Sequence, residues 1–356
     1  MSNLKFSGNN SAFYVDLKQR VNRYFEENKL TVHGGNKLLI KAIILLSSFF
    51  TLYFLLAFHQ LSNFWSLMAC IPFALLTAGI GFNIMHDGAH GSLSMNPVVN
   101  KLAALSLNML GASSYMWNIK HNIIHHTYTN VEDHDDDILN QPLFRMSPAQ
   151  RKFGIHKFQH LYWPLGYGMT YMSWIFFLDI KKYFNKKIAQ RDEIKFPLSV
   201  HLGFWMTKLL YIFFFIVLPL QYYTVTEFLI GYLFYTFTTG IIISVIFQLA
   251  HIVEETSFAA PDSQNHSLEN DWATHQVKTT ANFATKNPII TWFAGGLNFQ
   301  VEHHLFPRIS HVHYPALSNI VAETCRAHGL NYLVQPTMMS AINSHVRFLH
   351  RLGNKD

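Results

Sequence analysis

Apolar and polar positions divide the chain into long unbroken apolar runs and short polar stretches. Between Lys41 and Asp87 there is no Lys, Arg, Asp or Glu. That length accommodates two membrane-spanning helices of ~20 residues each. His59-Gln60 and Ser62-Asn63 mark the turn between them, which predicts spans over 39–59 and 64–85. A second pair is predicted over 205–222 and 228–250, with Pro219 and Glu227 flanking its turn and Lys208 able to snorkel. Residues 102–117 would reach ~24 Å as a helix, short of the ~30 Å hydrocarbon core. Residues 161–178 carry Pro164, Gly166 and Gly168. Both are expected to lie in the interface without crossing, because crossing would put the histidines beyond 120 on the opposite face from His86 and His90.

Upstream, residues 11–30 place Phe13, Leu17, Val21, Tyr24 and Phe25 on one helical face. Such a helix can lie on a membrane or pack on the protein's own cap, with packing the preferred reading. Gly34-Gly35 ends it. The expected organisation is an N-terminal amphipathic arm (1–37), one domain (38–330) and a C-terminal tail (331–356). The fold class is all-α integral membrane protein: four spans in two hairpins beneath a helical cap.

Composition sharpens this picture. Half the residues are hydrophobic and only 13% are charged, about half the charged share of soluble domains. The net charge of +6 comes from the N-terminal arm and from 181–195, while the short turns carry no Lys or Arg. By the positive-inside bias, both termini and the cap are expected to be cytoplasmic. No compact basic run of the nucleic-acid type occurs. Cys70 and Cys325 are the only cysteines, which excludes a disulfide framework and a thiolate metal site. No cleavable signal peptide is expected from the polar first 30 residues.

The remaining anomaly is 21 histidines. His86 and His90 are spaced i, i+4 at the cytoplasmic end of the second span, so both rings can face one metal. His121, His125 and His126 repeat the spacing, with the last ring about 100° away, as two neighbouring metals would require. His303 and His304 diverge from a third stretch, and His251 ends the fourth span. Eight rings exceed one metal and suit two, and imidazole suits Zn, Fe, Cu or Ni. Asp87, Asp133, Asp135, Asp136, Asp137 and Glu302 lie close enough in sequence to fix ligand tautomers. The acidic run 132–137 can equally be a solvated loop. His134, His311 and His313 are expected to be structural.

These clusters, HDGAH (86–90), HNIIHH (121–126) and QVEHH (300–304), resemble the three histidine boxes of the membrane fatty acid desaturases. The resemblance covers about 38–330. Gln300, with Asn298 before it and Leu305-Phe306-Pro307 after it, is similar to the third box of front-end acyl desaturases, and Gln248-Leu249-Ala250-His251 resembles a motif of that group. The resemblance implies two non-haem irons, molecular oxygen as co-substrate, a fatty acyl substrate in a bent tunnel, and His86, His90, His121, His125, His126, His251, His303 and His304 as ligands. It makes Gln300 a weaker ligand or an anchor for water, and Asp87 and Asn298 outer supports. Many front-end members carry a fused cytochrome b5 domain with His-Pro-Gly-Gly. Here His33-Gly34-Gly35 lacks the proline, so a separate ferredoxin or cytochrome b5 is expected as donor. Removing hydrogen from an unactivated methylene is beyond a side-chain base and demands a metal or cofactor. An acyl or sphingolipid hydroxylase would share the boxes. A metal transporter would need polar groups at mid-membrane, which these spans lack.

Overall fold

A computed structural model describes residues 4–8, 11–139, 142–189, 191–262 and 264–354. Among them, four helices are long and apolar enough to cross a membrane: Gly35–Ala57, Asn63–His90, Leu198–Gln221 and Val225–His251. The two pairs of predicted spans match these helices. The third helix starts seven residues before the predicted residue 205, because Pro197 precedes its first turn and fixes the entry. The fourth is opened by Thr224 and Glu227, which cap each other reciprocally. At the same turns His59 bonds Asn63 and Asn63 bonds Glu227, tying one helix pair to the other.

The second and fourth helices pack along each other, and buried Phe73, Ala74, Tyr235 and Tyr211 lie in one apolar cluster between the spans. Lys208, expected at a helix end, is instead buried and donates to the carbonyls of Gly111 and Ile175 at 2.8 and 2.7 Å, with Asp179 at 3.4 Å. These three oxygens satisfy its ammonium group, which makes the site tolerable in apolar surroundings.

Residues 102–117 form short helical pieces, including the end of Pro97–Ala104, and 159–185 form a helical run stepping at Met169. Neither segment supplies a helix long enough to span. Val98, Leu102, Leu161, Leu165 and Phe177 stand exposed on these elements.

The helix Ala12–Glu27 buries Phe13, Leu17, Val21 and Phe25 against Leu317, Val321 and Cys325 of the helix Tyr314–Ala327. Its apolar face is therefore used inside the protein. Tyr24 is only partly covered. Two short parallel strand pairs, Lys5–Phe6 with Ser267–Leu268 and Asn282–Phe283 with Val334–Gln335, pin the termini to the cap. Met338–Asn354 is a helix that buries His345, and its Phe348, Leu349 and Leu352 pack with Ile138, Phe144, Met146 and Tyr167.

Candidate metal centre

The second membrane helix does not run into His86 as a plain α-helix. Gly81–Met85 is a π-helical turn, with the His86 amide bonded to the Gly81 carbonyl. Asn83 fills the widened turn, donating to the Gly79 carbonyl at 2.7 Å and to Phe293 at 2.9 Å. Gly295, at φ +59°, presses so close that a Cβ there would lie 2.4 Å from the Phe82 carbonyl, so no larger residue fits. The second box lies on another π-helical stretch, Asn118–His125. Such turns occur often at functional sites because they re-aim side chains. The third box is the short helix Gln300–Leu305, entirely buried, and His251 closes the fourth span.

These four segments bring all eight histidines together. The ring nitrogens of His86, His90, His121 and His303 lie within 4.8 Å of one another, and those of His125, His251 and His304 form a second such set. His126 reaches both His303 and His304, and its Nε2 is 3.2 Å from that of His121. The outer nitrogens of several rings are occupied. His304 Nδ1 lies 2.8 Å from Gln276 Oε1, His303 Nδ1 3.2 Å from the Tyr314 hydroxyl, His251 Nδ1 3.3 Å from the Thr279 carbonyl, and His125 Nδ1 3.1 Å from Asp135. With Nδ1–H donating outward, Nε2 is the lone-pair atom. The Nε2 atoms of His125, His251, His303 and His304 are buried without a partner, as are His90 Nε2, His126 Nδ1 and both nitrogens of His86.

A buried unpaired polar atom costs about 1–3 kcal/mol, so this concentration of them fits a bound cation that the side chains await. Burial, and then the crowding of neighbouring rings, pushes His121, His126, His303 and His304 well below the usual imidazole range. Neutral rings are what a metal requires. His125 differs: burial would lower it, but Asp135 and Asp137 beside its Nδ1 hold it above its ordinary value. The cysteines are elsewhere, Cys70 within the spans and Cys325 beneath the N-terminal helix.

Asp87 turns away from its own box. It accepts from Ser310 Oγ at 2.8 Å and His311 Nδ1 at 3.0 Å, with His86 Nδ1 at 3.9 Å, and His311 Nε2 meets Lys41 Nζ at 3.3 Å. Asn298 donates to Thr291 Oγ1 at 3.0 Å and thereby braces the loop before the third box. Gln300 is buried with its amide nitrogen unpartnered. Glu302 faces away from the rings, bonded to Asn282 and Tyr332 at 2.8 and 2.7 Å, and burial pushes its carboxyl up to about 7. His134 Nδ1 lies 2.9 Å from the Glu132 carbonyl. Gln276, Tyr314 and Thr279 were not foreseeable as partners, since no sequence spacing ties them to the boxes.

A cavity of about 420 Å³ runs alongside His121, His125 and His251 and continues past Trp117, Trp174 and Phe247. Its lining joins these apolar side chains to Lys120, Asp136, Asp137, Lys181 and Lys182, and a concave site that combines apolar wall with placed polar groups is a usual binding site.

Comparison with known proteins decides the family. The model described as fatty acid desaturase matches residues 62–336. The chain belongs to the fatty acid desaturase family. It is 38% identical over 344 residues to the sn-1 linoleoyl-lipid 6-desaturase of Synechocystis sp., covering 95% of this chain and 94% of that protein. It is 35% identical to the acyl-lipid (8-3)-desaturase of Physcomitrium patens, covering 97% and 72% of the two chains. To the Delta(5) fatty acid desaturase A of Dictyostelium discoideum it is 34% identical, covering 97% and 75%. This desaturase is an oxidoreductase, a fatty acyl desaturase of the front-end type.

Proposed function

We propose that this desaturase holds two irons and, with molecular oxygen, introduces a cis double bond into an acyl chain carried on a membrane lipid. The supporting observation is the pair of imidazole sets whose inner nitrogens have no other partner. His86, His90, His121 and His303 are assigned to one iron, and His125, His126, His251 and His304 to the other. Gln300 adds a weak amide-oxygen ligand or holds a water. Asp87, held by Ser310 and His311, keeps a carboxylate 3.9 Å from His86 Nδ1, and Asn298 acts through the loop it braces.

Irons bound there would supply the oxidising power that no side chain has. The chain's own residues position the substrate and keep water away. Trp117, Trp174, Ile243 and Phe247 narrow the cavity beside the rings. A methylene held there meets the metal site in a fixed register, and such positioning is the protein's main lever on rate. In balance, two hydrogens leave adjacent carbons, and oxygen becomes water using two electrons from the acyl chain and two from a donor. The donor is a separate ferredoxin or cytochrome b5.

The lipid-borne substrate is supported by the cavity mouth, where exposed Leu139, Leu143, Met169 and Leu178 stand beside Lys181. Apolar residues at an entrance suit lateral entry from a bilayer. The named relatives act on acyl lipids. The basic arm and the 181–195 segment support a cytoplasmic position for both termini and the metal centre.

The test is expression with a panel of fatty acids, with lipid classes separated before mass spectrometry, and metal analysis of protein purified without chelator. The expected result is loss of two hydrogens at a fixed position on lipid-bound chains and about two irons per chain. Gain of an oxygen without unsaturation would instead identify a hydroxylase. One metal per chain, or full activity with zinc, would overturn the di-iron reading.

A further inference from the structure

One side chain carries the backbone of a box histidine out towards the surface of the cap. The Trp272 indole N–H donates to the His126 carbonyl at 3.0 Å. The Asn130 N–H, which a continued helix would aim at that carbonyl, goes to the Asp135 carboxylate at 2.9 Å instead. His126 groups with His303 and His304 and also meets His121, so it stands between the two imidazole sets. Gln276, Tyr314, Thr279 and Asp135, which partner His304, His303, His251 and His125, are all buried. Trp272 is only partly covered.

Two more aromatic rings enlarge this outlet. The Tyr14 ring meets Trp272 edge-on with centroids 5.4 Å apart and lies 6.3 Å from Phe306. The Tyr14 hydroxyl donates at 3.4 Å to the carbonyl of Leu305, the residue after His304. The three rings, all partly covered, thus touch the backbones of the second and third boxes. Lys18 stands over Tyr14, its ammonium 4.7 Å from the ring centre. Arg308 is exposed two residues past Phe306, and Lys278 is exposed on the helix that Trp272 begins. Asp271 turns its carboxylate to the Ala273 and Thr274 amides. None of Tyr14, Lys18, Trp272, Phe306 and Arg308 lines the acyl cavity.

We propose that the Tyr14–Trp272–Phe306 face, flanked by Lys18 and Arg308, docks a small one-electron carrier protein with an acidic surface, and that the Trp272–His126 hydrogen bond is the electron's path inward. The inference rests on the desaturase reading, which calls for two electrons from outside, and adds where they enter. Tunnelling weakens steeply with distance and runs better along bonds than across gaps. An indole bonded to the backbone of a box histidine bridges the gap from surface to site. An aromatic centre with a charged rim suits a transient encounter guided by electrostatics. Each docked carrier is oxidised by one electron. Two carriers per double bond, with two solvent protons, complete what the acyl chain's two hydrogens begin, the reduction of one oxygen molecule to two waters. The acyl cavity opens on a different set of residues, so carrier and lipid can be bound together.

The experiment uses the purified protein in lipid nanodiscs, with a soluble cytochrome b5 and a two-iron ferredoxin as probes. Affinity is titrated on iron-free and iron-loaded protein, and carrier oxidation is followed by stopped-flow absorbance. Lys18→Glu combined with Arg308→Glu should weaken binding of the better probe about tenfold at low salt and flatten its salt dependence. Lys195→Glu, an exposed lysine of the 181–195 segment, should leave the affinity at the wild-type value. Trp272→Phe keeps a ring but loses the N–H donor. It should slow oxidation of saturating carrier several-fold while the affinity holds. Reducing the protein beforehand with dithionite bypasses the carrier, so the product of that single turnover, per bound iron, should not share the fall.

Unchanged affinity in the double charge reversal overturns the docking face. Unchanged carrier oxidation in Trp272→Phe overturns the path, and so does an equal fall in its pre-reduced single turnover, which would make the indole structural only. Pre-reduced wild type that forms no double bond would count against the desaturase reading itself. Carrier binding to iron-free protein tests the face without that reading, which separates the two failures.

Discussion

Gln300 stands where the two other boxes have histidine, and its buried amide nitrogen is without a partner. An amide oxygen binds metal more weakly than imidazole. Gln300→Ala should therefore cut turnover at least tenfold while iron per chain stays near the wild-type value. Removing a ring such as His303 should lose both. Turnover normalised to bound iron is the measurement, and a normal value would make Gln300 structural. Asp135 gives a complementary case. Its carboxylate holds His125 Nδ1 and accepts the backbone N–H groups of Asn130 and Asp137 at 2.9 and 3.0 Å. Outer partners of this kind typically contribute 10–100-fold to metal affinity or activity. Asp135→Asn should lower activity by about that factor and release metal from the His125–His251–His304 side first, read as a fall in iron per chain. At this scale the eight rings were legible, because clustered histidines have few structural uses in an apolar chain. Their outer partners were not. Gln276 and Tyr314 meet His304 and His303 only after the cap folds, and Asp87 answers to His311 and Ser310, 224 and 223 residues away.

The four spans could be read from apolar runs alone, since the bilayer imposes length and composition on them. The π-helical turns could not. An i, i+4 pair of histidines looks the same in sequence whether the preceding turn is α or π, yet the wider turn changes which way the pair points. Deleting one residue from Gly81–Met85 should return the turn to α geometry and rotate the first box by about 100°. The expected outcome is a protein still inserted in membranes but lacking iron at the His86–His90 side, checked by metal analysis of the solubilised variant. The C-terminal helix was under-read because its burial depends on a partner surface at 138–167. Its His345 accepts from the Tyr167 hydroxyl at 2.9 Å and donates to the Ile252 carbonyl at 2.6 Å. Burial holds that ring down at about 4, against ~6.5 when exposed. The unfolded chain thus takes a proton that the folded chain refuses. The neutral ring's contribution is fully present above pH ~6.5 and shrinks as pH falls towards 4. By pH ~5 the loss amounts to ~2 kcal/mol. The stability difference between wild type and His345→Gln should narrow by about that much from pH ~7 to ~5, measured by thermal unfolding in detergent. An unchanged difference would mean that the ring carries its proton when folded.

For the whole molecule, the assigned sidedness makes a direct prediction. Cysteines placed at Gln60 and Tyr222, in the two short turns, should react with an impermeant maleimide from one face of sealed vesicles. A cysteine at exposed Lys29 should react only from the other. Labelling of all three from the same side would contradict the two membrane-crossing helix pairs. The purified enzyme with a nicotinamide cofactor and oxygen alone should also stay idle until a ferredoxin or cytochrome b5 with its reductase is added. The cap was the least legible part at this scale. Its helices are short, between three and seventeen residues, and are ordered by what they surround more than by their own periodicity.

The imidazole cluster draws together segments near residues 86, 121, 251 and 303, and that reach bears on the protein's lifetime in a cell. A chain that has not yet acquired iron must hold many unpaired ring nitrogens in its interior, which favours local opening of the cap. Ligand binding stabilises the closed form by mass action, and open forms are the ones that proteases clear. Iron supply should therefore govern abundance as well as activity. In a pulse-chase, the newly made protein should disappear several-fold faster under iron starvation than in replete cells, before any effect of its missing product is felt.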